Sequence, residues 1–155
     1  THMAGGLLAG VLVSQQAGLE LAEAAVVVGA SVFGSLLPDI DTTQSKMGRA
    51  LLPISVIVST FVGHRKLTHS LLLWPILGAI MAAIFPAYHL QIIACVAGCV
   101  SHIVLDALTV EGVPVFYPIP MRVSFTRIHT GGMGDVGLGV LLTMISGAIT
   151  SQIYF

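Results

Sequence analysis

Three short segments concentrate aspartate and histidine in a chain where only 8% of residues are Asp, Glu, Lys or Arg. They are Pro38-Asp39-Ile40-Asp41, Gly63-His64-Arg65-Lys66-Leu67-Thr68-His69-Ser70 and Ser101-His102-Ile103-Val104-Leu105-Asp106, joined by Thr1-His2 ahead of the first apolar stretch. Imidazole and carboxylate are the ordinary side-chain ligands of divalent metals. A carboxylate pair spaced by one residue, as in Asp39 and Asp41, can ligate one metal or bridge two. It also ends a helix as a solvated turn. His102 and Asp106 stand at i and i+4, so on a helix they share a face and can reach one ion or pair with each other. His69 follows Thr68, whose hydroxyl suits an N-cap for a helix starting at Ser70. A helix N-terminus disfavours imidazolium and leaves His69 neutral for ligation, and Thr1-His2 repeats the arrangement. Each histidine taken alone is equally a capping or packing residue.

The candidate ligands are His2, Asp39, Asp41, His64, His69, His102 and Asp106. A catalytic zinc takes three protein ligands and a structural one four, so these exceed the needs of one ion and suggest two, zinc or manganese. Two ions lower the pKa of a bridging water and hold the oxygens of an in-line displacement, the chemistry of phosphoester hydrolysis. Arg65 or Lys66 would stabilise charge developing on a phosphoryl group, unless both only anchor topology. A carboxylate left unligated by the ions, Asp41 or Asp135, would act as general base.

The elements that position these groups belong to a membrane. Hydrophobic residues make up 55% of the 155, with 17 glycines, and mean hydropathy is +0.97, far from an ordinary soluble domain. An ionisable residue at the centre of a membrane helix costs roughly 2.5–3.5 kcal/mol on insertion scales and is a functional hypothesis by default. Apolar stretches run over 3–13, 22–37, 51–62, 71–87, 92–110 and 136–149. They predict an all-α, polytopic helix bundle of about five spans, with the 51–62 stretch, short and carrying Pro53, as a re-entrant or interfacial helix. Residues 1–155 read as a single integral membrane domain.

The six Lys and Arg fall in three connecting regions. If 51–62 does not cross, all six lie on one side while Glu20, Glu23 and His89 lie on the other, as the positive-inside rule asks. That topology was set by Lys and Arg alone, yet it puts all seven candidate ligands at cytoplasmic helix ends. A net charge of −1 gives no basic field for nucleic acid. Cys95 and Cys99, four apart on an apolar helix, read as packing residues. The Pro-rich, aromatic region from Glu111 to Gly134 reads as an interfacial connection or as a lid beside the site. Gly131-Gly132-Met133-Gly134 lacks the strand and lysine of a phosphate loop, and Ser70 beside His69 is a weak nucleophile pair because adjacent helix side chains point apart.

Taken in order, Thr1-His2 with Gly5-Gly6, Leu36-Leu37-Pro38-Asp39-Ile40-Asp41, Gly63-His64-Arg65 with Thr68-His69-Ser70, and Ser101-His102 with Asp106 and Gly112-Val113-Pro114 resemble the YdjM family over nearly the whole chain. The resemblance implies a LexA-regulated, inner-membrane, metal-dependent hydrolase whose polar positions are His2, Asp39, Asp41, His64, His69, His102 and Asp106. Lys66-Leu67 and Asp135 depart from the family pattern, where a smaller pair and a Glu are expected. The expected function is hydrolysis of a phosphoester of a lipid or amphiphile reaching the cytoplasmic leaflet. The competing classes are a transporter or channel binding a passing cation and a non-catalytic module with a structural metal.

Overall fold

The computed structural model describes residues 1–62, 66–119 and 121–154, apart from the side chains of Phe61 and Val62. The helices are α1 (His2–Gln16), α2 (Leu21–Gly34), α3 (Lys46–Ala50), α4 (Leu52–Val62), α5 (Leu73–Ile84), α6 (His89–Ala107) and α7 (Met133–Tyr154). Short 3-10 turns cover Leu37–Asp41, Leu67–His69 and Pro86–Tyr88. Among the described residues there is no strand, only isolated bridges between Thr109 and Ile128 and between Val113 and Val123.

Among the described residues, three segments are long and apolar enough to cross a bilayer: Leu21–Asp41, Pro86–Ala107 and Met133–Tyr154. α1 has 15 residues and α5 has 12, which at 1.5 Å per residue span about 22 and 18 Å, short of a hydrocarbon core of about 30 Å. The expectation of about five spans is therefore met in length by three. The link from α1 to α2 is a tight turn in which Gly18 has φ +62°, with Leu19 N donating to Ser14 O and Gly18 N to Gln15 O, the pattern by which a left-handed glycine closes a helix.

α1, α2 and α6 form the packed heart of the bundle, α7 lies against α1, and α5 lies against α6. Small residues make the approach possible. A Cβ added to Gly98 would run into the Ser31 carbonyl, and one added to Gly34 into the Cys95 carbonyl. Close backbone contact through glycine and serine is how helices associate where lipid gives no hydrophobic drive between them. Ser31, Ser35 and Cys99 are buried at this seam, and Cys99 Sγ lies 3.2 Å from the Gly34 carbonyl, to which it donates, consistent with a packing role.

One local expectation is corrected and one element is new. Thr68 does not cap a helix at Ser70, because Leu67–His69 forms its own 3-10 turn and α5 starts later, at Leu73; the Thr68 hydroxyl is drawn to a buried carboxylate instead, donating to Asp41 Oδ2 at 2.6 Å. The unanticipated helix α3 braces the turn after α2. Ser45 accepts from Gly48 N as its N-cap and donates to the Asp39 carbonyl, both at 2.8 Å.

Candidate metal centre

Four helix ends meet at one end of the bundle. His2 is the first residue of α1, Asp39 and Asp41 lie in the 3-10 turn after α2, His69 ends the turn before α5, and His102 and Asp106 occupy the last turns of α6. Antiparallel neighbours with apolar cores force this meeting, because polar groups accumulate where each helix leaves the apolar layer. His69 and His102 are fully buried, Asp41 and Asp106 nearly so, and Asp39 is partly open.

His69 Nε2 and His102 Nε2 each lie 3.4 Å from Asp106 Oδ2. From Asp39 Oδ1 they lie 3.9 and 3.7 Å. Both nitrogens are buried and make no hydrogen bond among the described residues, so these separations are too long for the pairing that a buried polar atom ordinarily requires. They match a different geometry: ligand atoms about 2.0–2.2 Å from a tetrahedral zinc stand roughly 3.4 Å from one another. Two imidazole nitrogens and two carboxylate oxygens form a donor set suited to zinc or manganese.

The second nitrogens of these rings are held from behind. His102 Nδ1 is 2.7 Å from the Ser35 carbonyl; a carbonyl only accepts, so Nδ1 donates, and Nε2 is the atom left to ligate an ion in the cluster. His69 Nδ1 is 3.6 Å from Asp41 Oδ2 and 3.1 Å from Thr68 Oγ1. A carboxylate or carbonyl behind each ring is the usual outer support of a metal-binding histidine. Burial disfavours the His69 imidazolium, but the Asp106 and Asp41 carboxylates beside it outweigh that and raise its pKa from 6.5 to about 9. The expectation that a helix N-terminus keeps His69 neutral is thus reversed when no metal competes for the nitrogen.

His2 stacks on His102, with ring centroids 3.9 Å apart and planes at 17°. Its Nε2 is 3.3 Å from Asp106 Oδ1, so the two oxygens of Asp106 serve different sides of the cluster. Among the described residues, two triads have ligand atoms close enough to hold an ion, His2 with His102 and Asp106, and Asp39 with His69 and His102. His102 belongs to both, and with Nδ1 committed to Ser35 its single remaining lone pair binds one ion. Only His2 and Asp106 Oδ1 would then remain, among the described residues, for a second.

The structure brings His2, Asp39, Asp41, His69, His102 and Asp106 together. Asp41 faces the Nδ1 edge of His69, away from the Nε2 cluster, and also accepts from Thr42 Oγ1 at 3.0 Å. Asp135 connects through Thr1, whose hydroxyl donates to its backbone carbonyl at 2.9 Å, while its carboxylate accepts from Gly131 N. His64 and Arg65 lie outside the described residues. Sequence reasoning missed the Ser35 carbonyl and the Thr68 hydroxyl. Thr68 left a trace in its adjacency to His69, whereas a backbone acceptor on another helix leaves none. Part of the 111–134 region folds back beside α6: Val113 packs with Ile103 and Ala107, and Leu71 N donates to the Val115 carbonyl.

No solved structure gives a significant match to the chain. A Bacillus subtilis (strain 168) protein named Uncharacterized protein YvsG is 34% identical over 147 residues, covering 94% of this chain and 89% of that one. Inner membrane protein YdjM of Escherichia coli (strain K12) is 37% identical over 105 residues, covering 62% of this chain and 51% of its own, and YdjM of Shigella flexneri gives the same figures. The family profile described as YdjM inner membrane protein matches residues 1–154. The chain therefore belongs to the YdjM family of inner membrane proteins.

Proposed function

We propose that this protein is a membrane-embedded, metal-dependent hydrolase acting at the cytoplasmic face on a phosphoester of a lipid or amphiphile. The observation that carries the reading is the pair of buried, unbonded Nε2 atoms of His69 and His102 at ligand spacing from Asp106 and Asp39. A divalent ion in that set would acidify a bound water and withdraw charge from a phosphoryl oxygen. Asp39, with 31% of its side chain exposed, leaves the donor set open to water. Asp41 and Thr68 hold His69 in register, so we assign Asp41 a positioning role ahead of ligation or base catalysis. Asp135 is the carboxylate outside the donor set to which the proton of the attacking water passes. As the water oxygen bonds to phosphorus, the ester P–O bond breaks and the departing alcohol oxygen takes up a proton. Arg65, from the sequence pattern, is the cation for the charge developing on the phosphoryl group.

In this reading α1 and α5 complete a five-crossing topology with α4 as an interfacial helix, and the cations place the cluster toward the cytoplasm. A second ion, if bound, would sit between His2 and Asp106 Oδ1. A structural metal is the second reading, favoured by one observation: His69, His102, Asp106 and Asp39 offer four protein donors, the number that closes a structural site. Phosphate release from phosphatidic acid and phosphatidylglycerol phosphate, by zinc- or manganese-loaded protein in lipid nanodiscs, separates them. Release that falls by orders of magnitude in Asp39→Asn and His102→Ala supports the hydrolase. Metal retained with no release from any phosphoester supports the structural role.

A further inference from the structure

A cleft of about 710 Å³ runs between α1 and α7, with Val32 of α2 at its floor. Its polar end is formed by Thr1 and Asp135, one residue from the His2 ring that stacks on His102. Away from that end the walls are Leu7, Val140, Thr143 and Met144. From Asp135 to Met144 the helix rises about 14 Å, so the cleft descends from the metal-site level through roughly half of an apolar layer about 30 Å thick.

Its outer wall, α7, is a candidate span with only 6% of its apolar window buried. Val140 and Met144 are 55% and 68% exposed. In a bilayer those side chains face acyl chains rather than water. The cleft is therefore open laterally to lipid, apolar along its length apart from the Thr143 hydroxyl, which donates back to the Gly139 carbonyl, and carries a carboxylate only where it meets the candidate site. Another apolar cleft, about 310 Å³ between α5 and α6, is lined by Leu77, Met81, Ile92 and similar residues and has no carboxylate or hydroxyl in its lining.

We propose that the α1–α7 cleft is the acyl-chain site of the substrate, which enters sideways from the cytoplasmic leaflet. One chain of a phospholipid lies along Leu7, Val140 and Met144, and its headgroup phosphate is delivered past Thr1 and Asp135 to the His2 side of the cluster. This deepens the hydrolase reading and rests on it for the reaction, but not for the lipid contact. A soluble phosphoester of the same headgroup would gain nothing from the apolar walls, which distinguishes a lipid from a free phosphate compound.

The test uses the full chain in nanodiscs containing phosphatidic acid with a photoreactive diazirine in one acyl chain, with labelled residues mapped by mass spectrometry. Val140→Trp fills the cleft, and Leu77→Trp fills the α5–α6 cleft as a control. Metal content and monodispersity are measured for every variant. The expected result is labelling concentrated on the facing walls of α1 and α7, reduced several-fold by Val140→Trp and unaffected by Leu77→Trp. Even labelling of all outer helix faces, insensitivity to Val140→Trp, or crosslinks from the α7 face to a second copy of this chain would each overturn the proposal. Phosphate release is read separately: cleft labelling without release overturns the hydrolase reading and leaves the lipid site standing, whereas release without cleft labelling overturns the lipid site alone.

Discussion

His102 donates from Nδ1 to the main-chain carbonyl of Ser35 across the α2–α6 seam, at 2.7 Å. This one bond fixes the tautomer of a fully buried imidazole and aims its other nitrogen at Asp106 and Asp39. The distance between α2 and α6 thereby becomes part of the site, and that distance is set by Gly34 and Gly98.

A methyl group at Gly98 would strike the Ser31 carbonyl. Gly98→Ala is expected to destabilise by about 1–3 kcal/mol through overpacking and to weaken metal binding by moving His102 off Ser35. Gly147→Ala, where a Cβ meets nothing within 4 Å, should leave both unchanged. Thermal unfolding in detergent and zinc affinity by chelator competition check the pair. Equal behaviour of the two variants would dissociate the seam from the site.

Asp41 is 1% exposed and stands behind His69 rather than among the Nε2 donors. Asp41→Asn keeps an acceptor for Thr68 but removes the charge, and an outer-support role implies a loss in metal affinity of about 10–100-fold. His69→Ala should lose more, since it removes a ligand. Zinc titrations of both variants provide the comparison. A loss for Asp41→Asn as complete as for His69→Ala would make Asp41 a ligand.

The pH dependence follows from His69, whose pKa in the folded, metal-free protein is raised from 6.5 to about 9. A folded value above the unfolded one stabilises the protein fully below about 6.5, and the contribution is lost as pH rises through about 9. A metal must displace the same proton, so affinity should rise by up to about tenfold per pH unit over that window as one proton is released. Zinc affinity and metal-free melting temperature, followed from pH 6 to pH 9, should move in opposite directions. Parallel trends would show that the carboxylates do not hold a proton on His69.

Much of this was legible in the residues, and the reason is the solvent. In an apolar chain, polar residues gather where helices end, so Asp39, His69, His102 and Asp106 could be assigned to one level before any contact was known. The i, i+4 spacing of His102 and Asp106 is preserved in α6, with the two side chains 3.4 Å apart. What was not legible depends on the third dimension. Neither the Ser35 carbonyl nor the stacking of His2 on His102 has a sequence signature. Thr68 looked like a helix cap because Thr before an apolar run usually is one; a buried carboxylate 27 residues away outcompeted that local role. Counting ligands suggests two ions, and the sharing of His102 between both triads is a feature that a count does not carry.

Topology is tested by cysteine accessibility in a background lacking Cys95 and Cys99. Gln44, exposed beside the α3 brace, and Glu20, ahead of α2, lie at opposite ends of α2. Gln44→Cys should react with an impermeant maleimide only from the cytoplasmic side, and Glu20→Cys only from the outside. Labelling of both from the same side would exclude a crossing by α2 and, with it, the five-crossing arrangement.

The central claim is that His69, His102, Asp106 and Asp39 hold a metal, and elemental analysis of detergent-purified protein tests it most directly. Wild type is compared with His69→Ala, His102→Ala and Gly147→Ala, each confirmed monodisperse. About one tightly held equivalent of zinc or manganese is expected in wild type and Gly147→Ala, and its loss in both histidine variants. Metal absent from wild type after reconstitution with zinc or manganese, or retained in full by His69→Ala and His102→Ala, would contradict the claim and leave a buried network of histidine and aspartate that ties helix ends together.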